Sequence, residues 1–216
     1  MTTTEETPVA AALAIADPAP LGLAAFALTT FLLSAINAGW AKSTTGGDWW
    51  GYAIAYGGLI QLLAGMWEFK NKNVFGAVAF SSYGGFWIGV GLWLHFIAPS
   101  ASNPLQINRD LGWILLAFLI FNTYMLIAST QVNMAVFAVF LTLELTELFL
   151  ALGNLTTKKV ALPPFALASE HNTLIVIGGI IGIVTAAAAW YASAAGVMNG
   201  LKGRPVFPVG KPLFDL

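Results

Sequence analysis

Two carboxylates stand one helical turn apart in the stretch VFLTLELTELFLALGN, which begins at Val139 and places Glu144 and Glu147 inside an otherwise apolar run. A charged group in the middle of a membrane helix costs roughly 2.5–3.5 kcal/mol on insertion scales. A carboxyl group in apolar surroundings can hold and release a proton near neutral pH, and a close pair titrates as a coupled unit. Proton exchange is therefore the chemistry this stretch offers. The bland alternative is a structural seam, in which the pair meets a neighbouring helix or a second copy.

Few other polar residues interrupt the apolar runs. Thr29, Thr30, Asn37, Gln61, Ser81, Ser82 and Asn122 are the candidates for a polar pathway beside Glu147. A serine or threonine in such a helix often bonds its own backbone carbonyl. Gln61 and Asn122 serve equally well as glue between helices. Glu68 and His95 lie near run ends, where reaching water is enough. All nine lysines and arginines fall outside the runs. His95 and His171 are the only histidines and stand in distant segments. There is no cysteine, no Gly-x-Ser-x-Gly, no His-Glu-x-x-His and no lysine in the last run for a retinal Schiff base. No enzyme, metal or cofactor is expected.

The elements that must position these residues follow from composition. The chain is 58% hydrophobic and 9% charged, where a soluble domain carries roughly 25% charged residues. An all-α integral membrane protein is expected, and a net charge of -1 argues against a nucleic-acid partner. A helix needs roughly 20 apolar residues to cross the bilayer. Six runs fit: Pro18–Ala38, Trp50–Phe69, Val74–Ala98, Leu111–Ser129, Met134–Leu152 and Asn172–Met198. The expected division is a tail over 1–17, a six-helix membrane domain over 18–198 and a tail over 199–216. The acidic start MTTTEETPV does not read as a cleaved leader. Six crossings put both termini on one side. Lys70, Lys72, Lys202, Arg204 and Lys211 share that side, against Lys42, Arg109, Lys158 and Lys159 opposite, which favours cytoplasmic termini. Two glycine pairs at four-residue spacing, Gly85/Gly89 and Gly178/Gly182, suit close packing within or between protomers.

Three stretches together carry a likeness. ADPAPLGLAAFALTTFLL opens the first run, AGMWEFKNKNVFGAVAFSSYGGFW joins the second and third, and GRPVFPVG closes the tail. Over nearly its whole length the chain resembles the acetate uptake transporter family, the succinate–acetate permeases of microbes. The helix-one signature is Asp17, Pro18, Pro20 and Gly22. The family usually has asparagine where Asp17 stands; both cap a helix well, but an aspartate repels an anion. Typical members also carry apolar residues at the positions of Glu144 and Glu147. The resemblance implies a homo-oligomer, a hexamer, in the cell membrane, with a pore through each protomer. It also implies a constriction formed by Phe26, Tyr83 and Leu143.

Depth along the helices is consistent with such a ring. The first, third and fifth runs start on the same side, and the three residues each lie about 12–14 Å in at 1.5 Å per residue. Anion pores normally line the path with lysine or arginine, and these runs have none. Acetate or another short carboxylate accompanied by a proton is close to a neutral acid, which lowers the desolvation cost. Proton-coupled uptake is the expectation, with Glu147 holding the proton and Glu144 tuning it. A cation or ammonium channel, or an uncoupled carboxylate anion channel, remains open.

Overall fold

Most helices begin where the sequence supplies a side-chain oxygen for free backbone amides. In the computed structural model, which describes residues 15–41, 49–158 and 172–214, α1 (Ala19–Asn37) starts behind Asp17, whose Oδ1 accepts from Ala19 N at 3.0 Å. The exception is α2 (residues 50–70), which begins without a side-chain cap. Asn73 caps α3 (Val74–Ser100) by accepting from Gly76 N at 3.1 Å. Asn103 caps α4 (Pro104–Ser129), and Gln106 reaches back to its amide at 3.2 Å. Asn133 and Asn172 do the same for α5 (Met134–Thr156) and α6 (Thr173–Lys202), accepting from Val136 N and Leu174 N. Lys42, Lys159 and His171 lie outside the described residues.

These caps shift two expected boundaries. The capping box starts α4 at Pro104 rather than Leu111, because a helix begins at its cap and not at its first apolar residue. At the other end of the chain α6 continues to Lys202, into the expected tail, and ends on Gly203 in the left-handed conformation at φ 60°.

Among the described residues, five helices are long and apolar enough to cross a membrane: α1, α3, α4, α5 and α6. Six regular spans were expected, and α2 makes the difference. It is helical throughout, yet it consists of α-helix over Trp50–Ile54, π-helix over Ala55–Ile60 and α-helix over Gln61–Lys70. The π segment contains Gly57 and Gly58, where α2 closes on both neighbours. A Cβ at Gly57 would fall 2.7 Å from Thr29 Cβ of α1, and one at Gly58 would fall 2.6 Å from Ile88 Cγ1 of α3.

The helices form a ring. The most extensive contact is between α1 and α6, followed by α6 on α5 and α5 on α4, and α2 bridges α3 and α1. Only the seam between α3 and α4 is slight. There the outer face opens into a groove of about 590 Å3 lined by Ser81, Ser82, Gly85, Gly89 and Phe118. The two glycine pairs part company here. A Cβ at Gly178 would press on Leu150 and one at Gly182 on Ser34, inside the bundle, whereas Gly85 and Gly89 face open space.

After α6 the chain folds back as a strap. Asn199 accepts from Val206 N and Phe207 N at 2.6 and 2.9 Å. Tyr191 Oη donates to Pro208 O at 2.6 Å, and Ala135 N donates to Val209 O at 2.9 Å.

Candidate functional site

Three cavities follow one another between the helices. At the end of the bundle that carries Asp17 lies a vestibule of about 330 Å3, lined by Asp17, Asn71, Asn73, Asn133, Asn199 and Leu23 among others. Next is a cavity of about 20 Å3 that Leu23, Gln61, Phe80 and Phe140 help to line. The third, about 40 Å3, has Thr30, Trp87, Leu115 and Glu147 in its wall. Phe26, Tyr83 and Leu143 line both the second and the third cavity, and no other residue does. These three therefore stand at the partition, one each from α1, α3 and α5. All are buried, and the Phe26 and Tyr83 rings meet edge to face with centroids 5.7 Å apart.

Position on each helix explains the partition. Phe26 and Thr30 are four apart, as are Tyr83 and Trp87, and Leu143 and Glu147. Residues at that spacing share a helix face. Each inward face therefore places an apolar or aromatic group at the partition and a polar group one turn deeper.

Tyr83 is the hub of the polar contacts. Its hydroxyl lies 3.0 Å from Asn122 Oδ1 and 3.1 Å from Glu147 Oε1. Asn122 Nδ2 donates to Phe140 O at 3.1 Å and to Glu144 Oε2 at 2.7 Å. Thr123 Oγ1 lies 2.8 Å from Glu144 Oε1. The two glutamates thus belong to one network but do not touch.

The remaining candidates separate. Thr30 lines the third cavity and Gln61 the second. Thr29 Oγ1 donates to Ala25 O at 3.2 Å and packs on the π segment of α2. Asn37 is buried against Gly179 of α6. Ser81 and Ser82 line the outer groove. Pro18, Pro20 and Gly22 shape the start of α1, with Gly22 against the Phe80 ring. Glu68 does not reach for water: it is fully buried and accepts from Asn71 Nδ2 at 3.1 Å. Trp87 was not among the candidates. Its signal was the four-residue spacing from Tyr83.

A ring of apolar helices around enclosed, polar-edged cavities is the architecture of a membrane pore or carrier. The chain belongs to the GPR1/FUN34/yaaH family, whose model matches residues 3–209. It is 39% identical over 203 residues to acetate permease A of Emericella nidulans, covering 90% of this chain and 65% of that protein. It is 32% identical to the succinate-acetate/proton symporter SatP of Escherichia coli, covering 91% of this chain and 96% of that one. The solved structure of the bacterial acetate channel SatP matches with a TM-score of 0.78 at 31% identity, covering 91% of this chain and 99% of that chain. The chain spans between 58% and 65% of the length of several fungal relatives it matches. It is a multi-pass membrane protein, and the names of these relatives are those of a permease, a symporter and a channel, not of enzymes.

Proposed function

We propose that the protein carries acetate and other short carboxylates across the cell membrane together with a proton. The observation that supports this most is the partition itself. Phe26, Tyr83 and Leu143 separate two small enclosed cavities, and Glu147 stands directly beyond them. None of the residues lining the three cavities is a lysine, arginine or histidine. Without a base to stabilise a bare carboxylate, a path this narrow favours an acid that keeps its proton. Glu147 is the proton-holding group on the path, and Glu144 acts on it through Asn122 and Tyr83. The names of the Emericella and Escherichia coli relatives point to the same substrates.

In this reading α2 completes a sixth crossing and both termini are cytoplasmic. The protein is a homo-oligomer, a hexamer with one pore per protomer. The outer groove of α3 and α4, with Gly85 and Gly89 open in it, supports a neighbouring protomer's helix packing there. A monomer by native mass spectrometry in mild detergent would count against assembly.

The decisive experiment is radiolabelled acetate uptake into liposomes, with and without an inward proton gradient. Proton coupling requires accumulation that collapses when a protonophore is added. Uptake indifferent to the gradient identifies the uncoupled channel. Ammonium flux without acetate flux identifies the cation path.

A further inference from the structure

We propose that the third cavity is a subsite for the undissociated carboxyl group of a short acid, held by Thr30, Trp87 and Glu147. The site rests on the transport reading above and names the groups that bind.

Three polar atoms on residues lining this cavity are buried and have no hydrogen-bond partner among the described residues: Thr30 Oγ1, Trp87 Nε1 and Glu147 Oε2. Buried polar atoms are nearly always paired, so three orphans around one small space point to a ligand. The space is about 40 Å3, somewhat more than the roughly 30 Å3 that one water occupies in the liquid. Leu33, Leu115 and Leu150 form the apolar side of the wall, so a bound acid's alkyl group would press them outward.

Counting protons gives each orphan a role. Asn122 commits its amide N–H groups to Phe140 O and Glu144 Oε2, so its Oδ1 faces Tyr83 and can only accept. Tyr83 has one hydroxyl proton. Given to Asn122, it leaves the 3.1 Å contact with Glu147 Oε1 to be made by a proton on Glu147. Glu147 Oε2 is then a carbonyl oxygen in need of a donor. Trp87 Nε1–H needs an acceptor, and the Thr30 hydroxyl can supply a second donor.

The occupant must therefore both donate and accept, which a water or an undissociated carboxyl group can do and neither ion can. A carboxylate brings acceptors only and leaves Glu147 Oε2 unmatched. An ammonium ion brings donors only and leaves the Trp87 N–H unmatched. An undissociated carboxyl group donates its O–H to Glu147 Oε2 and accepts at its carbonyl oxygen from Trp87 and Thr30. The groups facing Glu147 do not disturb this count. Tyr83 faces it from α3, Glu144 acts from its own helix and Asn122 stands behind Tyr83 on α4. Thr30 and Ser34 of α1 share its cavity, and α6 offers Thr185 to its neighbour Thr146.

The test uses the full chain in liposomes and in detergent. Trp87→Phe and Thr30→Val should each raise the KM for acetate about tenfold, the scale of one lost buried hydrogen bond, while the thermal melt is retained. Thr30→Ser should restore it. Infrared difference spectra with carbonyl-labelled acetate at about pH 7, where free acetate is ionised, should show the carbonyl band of the undissociated acid in the wild-type protein. Wild-type protein that takes up no acetate overturns the transport reading and the subsite with it. Acetate uptake with only carboxylate bands, or with KM unchanged in folded Trp87→Phe and Thr30→Val, overturns the subsite alone. A cavity that holds water only gives that second result.

Discussion

Glu144 and Glu147 are the same residue one turn apart on one helix, and the fold treats them differently. Glu144 has both oxygens matched by α4, one by the Asn122 amide and one by the Thr123 hydroxyl. Glu147 has one oxygen against Tyr83 and the other unmatched at a cavity. A rotation of roughly 300° over three residues is enough to turn a group that ties two helices together into a group with a free valence. The difference teaches that a carboxyl group in a membrane helix declares its use by what its second oxygen meets. A fully matched pair is cohesion; a half-matched one is an invitation to a ligand or a proton.

The most severe way to break this contrast is to remove each carboxyl group in turn. Glu147→Leu should lower acetate uptake tenfold or more, since an unpaired buried partner costs about 1–3 kcal/mol. Glu144→Leu should instead lower the melting temperature, because it leaves one N–H of the buried Asn122 amide without its acceptor, while the Thr123 hydroxyl keeps Leu119 O. Equal melting shifts and equal uptake losses would erase the distinction. Tyr83→Ala comes next. It opens the partition, so the ratio of succinate to acetate uptake should rise severalfold; an unchanged ratio in competition assays would show that the ring does not set substrate length.

Milder changes sharpen the contrast. Glu147→Gln keeps shape and hydrogen bonding but cannot titrate, so the pH dependence of uptake should flatten while size-exclusion profiles stay normal. Glu144→Gln should reduce uptake by about two- to threefold and shift the midpoint of the pH profile without flattening it, in line with one weakened hydrogen bond and one lost charge beside Glu147. A profile that flattens for Glu144→Gln as well would move the proton site to the pair. Smallest of all, Thr123→Val removes only an exposed partner of Glu144 and should change uptake less than about twofold.

Much of this arrangement is readable from residue order. Apolar length located the helices, while Phe26, Tyr83 and Leu143 came from the family resemblance, with equal depth along α1, α3 and α5 consistent with it. Helix starts were less legible where apolarity was the guide. Asn103, Pro104 and Gln106 spell a start for α4 well before its first long apolar stretch, and capping chemistry, not hydropathy, sets that end. The rotation of one helix against another was not legible at all. Ser82 adjoins Tyr83 in sequence but lines the outer groove, and the Ser81 hydroxyl is buried against Gly65 of α2. The Asn122–Glu144 contact depends on how α4 and α5 are turned toward each other, and no single-helix pattern encodes that angle. Trp87 was within reach, since its four-residue spacing from Tyr83 already placed it on the inward face.

The π segment of α2 has a consequence for how such chains can change length. A π turn holds one residue more than the α turns around it. Deleting a single residue within Ala55–Ile60 would return the helix to regular winding and leave the facing of everything after it unchanged, because the wide turn absorbs the extra residue. Gln61 would stay at its cavity, Gly65 would still meet Ser81, and Glu68 would keep its bond from Asn71. Helices that cross membranes are usually regarded as intolerant of insertions and deletions. Here one wide turn absorbs one extra residue, so the natural place for a one-residue gap between related chains is the middle of this helix rather than a loop.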